Sequence, residues 1–218
     1  MSGNAKFRFL LKPIFVALFV FIASPVICEA DWFSPEQPWA NIDGFRSAKF
    51  GMPERDLVEA IKRDFGIEKY QISRVGNQNE KTVSLVIEVK KLLPRSGTAK
   101  IFYILGYKSK RLMHINIAFG RSVTQSPDAE AMVETANQLR NSLAKKKYQK
   151  QGFALNSQLR EGVILVFQGK DKKGRAARLL LNNPKNKDGK VGDNIALTLS
   201  YIEKPENPDV FRIKDGDF

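Results

Sequence analysis

His114 is the single histidine of the chain and Cys28 its single cysteine. A zinc site built on nitrogen or sulfur takes three or four such ligands, so this inventory argues against one. A Ser-His-Asp triad would have to use His114, and no Gly-x-Ser-x-Gly elbow is present to carry the serine. A lone histidine in an alternating stretch reads instead as a surface or edge side chain. Ser142-Leu143-Ala144-Lys145 has Ser-x-x-Lys spacing, which would put an amine one helical turn from a hydroxyl. The companion Ser-Asp-Asn and Lys-Thr-Gly motifs of Ser–Lys acyl enzymes are missing, and the match reads as chance. Asn186, Asp188 and Asp193 lie around Gly189, but EF-hand spacing would put Pro184 at the first ligand position and Ile195 at the twelfth, where neither coordinates. Asp188-Gly189 is better read as a turn. Glu54, Asp56, Glu59 and Asp64 fall on the polar side of a helical pattern. A carboxylate pair for sugar hydrolysis remains open on those residue types, and nothing else favours it. No catalytic, cofactor or metal site is expected.

The cations carry a stronger signal. Lys145, Lys146, Lys147 and Lys150 form one cluster, Lys170, Lys172, Lys173 and Arg175 a second, and Lys185, Lys187 and Lys190 a third. Residues 31–139 hold 16 basic and 13 acidic side chains, residues 140–190 hold 14 and 3, and residues 191–218 hold 3 and 6. Nearly all of the net charge of +13 thus sits in one segment. The first cluster reads partly as cations at the end of a helix, where they suit the dipole. If the clusters converge, they make a positive field that attracts acidic proteins, anionic headgroups or other polyanions. Nucleic acid is not expected, since no recognition motif or series of stacking aromatics accompanies the lysines.

At the N-terminus, Lys6, Arg8 and Lys12 precede an apolar stretch of sixteen residues from Pro13 to Cys28. A spanning helix needs roughly 20, and the order basic, apolar, small is that of a secretory signal peptide. Cleavage after Ala30 is expected; retention as an N-terminal anchor is the alternative. Cys28 follows Val26 and Ile27 rather than a small residue, which disfavours a lipoprotein. The chain from Asp31 onward has 188 residues and no cysteine, and it carries +11 once three leader cations and Glu29 are gone. Disulfides are then excluded, and stability must come from a packed core. That length suffices for one sizeable domain or two small ones. Without cysteine and without an Asn-x-Ser/Thr sequon, the expected compartment is a bacterial periplasm or its exterior.

The elements that would position these residues follow from periodicity. Residues 31–46, with Trp32, Phe33, Pro35, Pro38 and Trp39, read as an extended segment packed on the surface. Pro53 suits a first helical turn, Leu57, Ile61 and Phe65 share one helical face, and Gly66 stops the run, which predicts a helix over 53–65. Alternation predicts strands around 83–89, 98–107 and 112–119, the last two forming a hairpin. Ser126 and Pro127 open a second helical pattern, and the stripe Met132, Ala136, Leu139, Leu143 extends it over about 127–147. Further strands are expected at 162–168, 175–181 and 194–202, with Asp171-Lys172-Lys173-Gly174 as the turn between the first two. The class is α+β. The expected organisation is a leader (1–30), a first α-β-β-β unit (31–122), a second such unit (123–204) and an irregular acidic tail (205–218), with the two units packed in tandem.

The segment Phe50-Gly51-Met52-Pro53-Glu54-Arg55-Asp56-Leu57, leading into a helix and three strands, resembles the helix start of SmpA/OmlA-type outer-membrane assembly lipoproteins. The tandem order is similar to the β-lactamase-inhibitor-protein fold, in which two helix-plus-sheet units pack side by side. The chain departs from these in having no lipobox and no Gly-Met signal in its second half. The resemblance implies protein binding without catalysis and assigns no binding residue. The expected function is an exported, non-catalytic protein-binding module of the bacterial cell envelope. The alternative is a binder of polyanions or anionic membrane surfaces through 140–190, and the third reading is a carboxylate-only hydrolase.

Overall fold

Among the residues that the computed structural model describes, 37–183 and 192–213, two helices and ten strands form. The chain from Gln37 onward makes one compact unit. Helix α1 (Glu54–Phe65) begins after the extended Pro53, with Glu54 and Asp56 in its first turn and Lys62 and Arg63 in its last, each sign matching the dipole end it meets. Gly66 closes it in the left-handed region, φ 67°, where its N–H reaches the Lys62 carbonyl. Leu57, Ala60 and Ile61 are buried beneath it.

Helix α2 (Ala129–Leu143) is shorter at both ends than the span of 127–147 expected from its stripe. Asp128, not Ser126, caps it: the carboxylate accepts from the Ala131 N–H at 3.0 Å. At the other end Lys147 donates its N–H to the Pro38 carbonyl and accepts from Ala40 N–H at its own, both at 2.9 Å. That pairing requires extended backbone and forms a parallel bridge between Trp39 and Lys147. The helix therefore ends at Leu143, and Lys145, Lys146 and Lys147 lie in the following turn rather than on its last turn.

Strands β1 (Gly44–Phe45) and β2 (Ala48–Lys49) make a small hairpin before α1. The other eight strands form one antiparallel sheet. After α1 and a single 3-10 turn come β3 (Ser73–Asn77), β4 (Thr82–Lys90), β5 (Thr98–Leu105) and β6 (Leu112–Gly120). After α2 come β7 (Ala154–Arg160), β8 (Val163–Lys170), β9 (Ala176–Asn182) and β10 (Ala196–Ile202). The sheet order is β3-β4-β5-β6-β10-β9-β8-β7, so each half winds inward from an edge and the halves meet where β6 pairs with β10. The α+β class is thus present, but four strands follow each helix where three were expected. The additional strands, β3 and β7, are the two edges. Each is largely exposed on both faces, so neither shows the alternation that marks a half-buried strand.

Alternate rows of the sheet face opposite ways. On one face lie Leu85, Ile87, Ile101, Tyr103, Ile115, Ile117, Phe119, Leu197, Leu199, Leu179 and Phe167, which join Leu57, Ile61, Met132 and Ala136 of the helices in a single core. After β10 the chain turns back across the strand ends as a strap. The Asp209 carboxylate accepts from the N–H groups of Lys108 and Ser109 at 3.0 and 2.8 Å, and Tyr107 N–H donates to the Asp209 carbonyl. Gly106 leaves room for this carboxylate, which a Cβ there would strike. Phe211 meets Tyr107 edge-on at 5.6 Å, with the Lys81 ammonium 3.6 Å from the Phe211 ring centre.

Candidate functional site

The opposite face of the sheet holds the other half of each strand's side chains. Its central row follows the register Ser73, Val86, Phe102, Asn116, Ser200, Arg178, Gln168, Ala154. Below it runs Ser84, Ile104, His114, Ile202, Ala176, Lys170, and above it Glu88, Lys100, Ala118, Thr198, Leu180, Leu165. Neither helix joins this side, where Val86, Ala118, Leu165 and Ala176 are buried but stand apart from the core. Phe102, Ile104, Leu180 and Ile202 are half-buried beside them. The polar groups at the centre are paired with one another. Ser200 Oγ donates to Asn116 Oδ1 at 2.6 Å, and Arg178 Nε to Gln168 Oε1 at 2.9 Å. Lys100 meets Glu88 at 2.9 Å. The result is a broad surface of apolar side chains around pre-ordered hydrogen-bonding groups.

His114 is half-buried on a central strand of this face, so it is not the edge residue that the alternation suggested. Its Nε2 is buried without a hydrogen-bond partner. Burial pushes its pKa below the ordinary 6.5, the Arg178 charge pushes it the same way, and the Asn116 side chain opposes both. His114 also borders a cleft of about 660 Å³ between the β5–β6 turn and the strap, which Lys108, Arg111, Ile202 and Asp209 help to line.

The cationic clusters converge in part. Gln149 N–H donates to the Lys170 carbonyl at 2.9 Å, and the Gln149 side chain to the Asp171 carbonyl at 2.7 Å. The segment after α2 therefore lies along the β8–β9 turn, which brings Lys145, Lys146, Lys147 and Lys150 to the same corner as Lys170, Lys172, Lys173 and Arg175. Asp171 organises that turn from within. It is almost wholly buried, and it accepts from the N–H groups of Lys173, Arg175 and Ile42 at 2.8, 3.0 and 3.0 Å. Two of the cations are committed to structure. Lys170 pairs with Glu206 at 2.6 Å, and Arg175 donates to the Ile42 carbonyl at 3.3 Å. Lys172 sits 4.8 Å from the ring centre of Trp39. Lys145, Lys146, Lys150 and Lys173 are exposed. Lys185, Lys187 and Lys190 lie outside the described residues.

Among the described residues, the groups considered for catalysis have other partners or lie in solvent. Ser142 and Lys145 are both solvent-exposed, Ser142 in the last turn of α2 and Lys145 beyond its end; an amine activating a hydroxyl works desolvated. Glu54 pairs with Arg74 and Asp56 with Arg55, and Asp64 accepts from the Ser47 N–H at 2.9 Å. Asn186 and Asp188 lie outside the described residues, while Gly192 N–H closes the same loop on Asn183 Oδ1 at 2.8 Å. Among the described residues no three His, Cys, Asp or Glu side chains are grouped as metal ligands would be. Two features escaped the sequence reading: the placement of Trp39 beside the lysines and the clamp at Asp209. Both depend on contacts between residues a hundred or more positions apart, and no local pattern encodes them. No family model, no curated protein and no solved structure matches this chain.

Proposed function

We propose that the chain is an exported, non-catalytic protein-binding module of the bacterial cell envelope, and that the helix-free face of its large sheet receives the partner. The observation that carries this reading is the asymmetry of the sheet: both helices join the core on one side, and the other side presents Phe102, Ile104, Leu180 and Ile202 around the ordered Asn116–Ser200 and Arg178–Gln168 pairs. Apolar side chains around satisfied polar groups suit a folded protein surface, because the polar groups need no rearrangement on docking. The charge of +11 beyond the leader favours a partner with an acidic surface, whose approach it accelerates. The tandem reading of two helix-plus-sheet units supports the same direction, since the resemblance noted above implies binding without chemistry. Export rests on the basic-apolar-small order of the first thirty residues.

The test is site-specific photocrosslinking in intact cells. A photoreactive residue at Phe102 or Leu180 is expected to yield the same discrete adduct, and one at Val133, exposed on α2, is expected to yield none. Equal labelling from both sides of the molecule, or no adduct from the sheet face, overturns the proposal.

A further inference from the structure

We infer that the corner formed by the segment after α2 and the β8–β9 turn docks the protein onto an anionic lipid surface. This docking does not depend on the sheet-face proposal. Lys145, Lys146, Lys150 and Lys173 are exposed there, and no carboxylate is within ion-pair distance of them among the described residues. Two acids of this corner are already occupied: Asp171 is buried holding the turn, and Glu206 neutralises Lys170. A field of uncompensated cations attracts a negative surface of any kind.

Two aromatic side chains narrow the choice to a bilayer. Trp39 is 41% exposed beside Lys172, and Phe153 is 42% exposed within the turn that follows Lys150. At a membrane interface the arrangement is favourable on both counts: tryptophan settles at headgroup depth, and lysines nearby gain from the negative surface potential. Both aromatics are tied to their surroundings. The Trp39 backbone is bridged to Lys147 and its ring carries the Lys172 ammonium, while Phe153 stacks on Tyr148 at 6.0 Å and meets Phe167 edge-on at 5.9 Å. A pre-ordered aromatic loses little freedom on insertion. The corner sits at the strand ends of β8 and β9, so docking there leaves the centre of the open sheet face free.

Sedimentation with vesicles tests this on protein purified without its leader. Vesicles of phosphatidylcholine containing phosphatidylglycerol are expected to carry the protein down, and pure phosphatidylcholine vesicles to leave it in solution. Raising salt from about 0.1 M to about 1 M shortens the screening length from about 10 Å to about 3 Å and should release it. The triple variant Lys145→Glu, Lys146→Glu, Lys150→Glu is expected to lose roughly a hundredfold in partitioning. A triple of the same charge change placed elsewhere, Lys69→Glu, Lys90→Glu, Lys91→Glu, should retain most of it. Tryptophan emission should shift to the blue on binding in the native protein, and the shift should shrink in Trp39→Phe. The proposal is overturned by absence of binding to anionic vesicles in low salt, by equal losses in the two triple variants, or by binding to soluble heparin with none to vesicles. Unchanged far-ultraviolet circular dichroism separates these outcomes from misfolding.

Discussion

At the scale of single residues, His114 couples stability to pH below its ordinary 6.5. Burial and the Arg178 charge disfavour its protonated form in the folded state. The unfolded chain therefore takes up that proton first as pH falls. Stability attributable to this site is complete above about 6.5 and declines as pH falls toward the lower folded value. Asp209 acts in a different window. Partial burial alone would raise its pKa, but the N–H groups of Ser109 and Lys108 outweigh that and hold it below the ordinary 3.8. Its contribution persists to more acid conditions and is lost only below that value. Denaturant titrations at about pH 7.5 and about pH 5 should show the native protein weaker at the lower pH, and His114→Gln should remove most of the difference. An unchanged slope in the variant would show that the imidazole is not the titrating group.

At the scale of elements, the end of α2 shows how tertiary contacts override local pattern. The stripe Met132, Ala136, Leu139, Leu143 is a sound helical signal and these residues do pack on the core, yet it cannot say where the helix stops. The stop comes from the bridge to residues 38–40, about a hundred positions away. The start is decided by one side chain. Asp128→Ala leaves the Ala131 N–H without its acceptor and should cost about 1 kcal/mol in a denaturant titration, whereas Ser126→Ala should be close to neutral. A reversed order would return the cap to Ser126. The six inner strands were all legible as alternation or apolar runs, because packing one face on the core imposes a period of two. The edge strands β3 and β7 were not, since edges are kept polar and irregular to discourage pairing with other chains. β7 shows such irregularity in Asn156, whose φ of 49° is left-handed, and in a register shift between Gln158 and Arg160. The candidate site divides the same way. The lysine clusters are visible as composition, but their meeting at one corner depends on Gln149 pairing with Lys170 and on Asp171 drawing the turn together.

At the scale of the whole molecule, the junction of β6 and β10 decides whether the two halves behave as one body. They pair from Gly120–Ala196 to His114–Ile202, and the rows across the junction place Ile115 beside Tyr201, Ile117 beside Leu199 and Phe119 beside Leu197 on the core side. These side chains belong to the single core shared by both helices. Splitting the halves would expose two long central strands, each with a row of unpaired backbone groups and an apolar face. Residues 37–123 alone should therefore fail to form a stable monomer. Size-exclusion chromatography is expected to show an expanded or self-associated species, and calorimetry of the intact protein a single transition whose enthalpy matches the van't Hoff value. Two resolved transitions, or a folded monomer from 37–123, would show that the halves are separate domains that merely touch. One continuous sheet has a consequence for binding as well. It holds the helix-free face and the cationic corner in a fixed relation, so a partner on the first and an anionic surface on the second would be presented to each other at a constant angle.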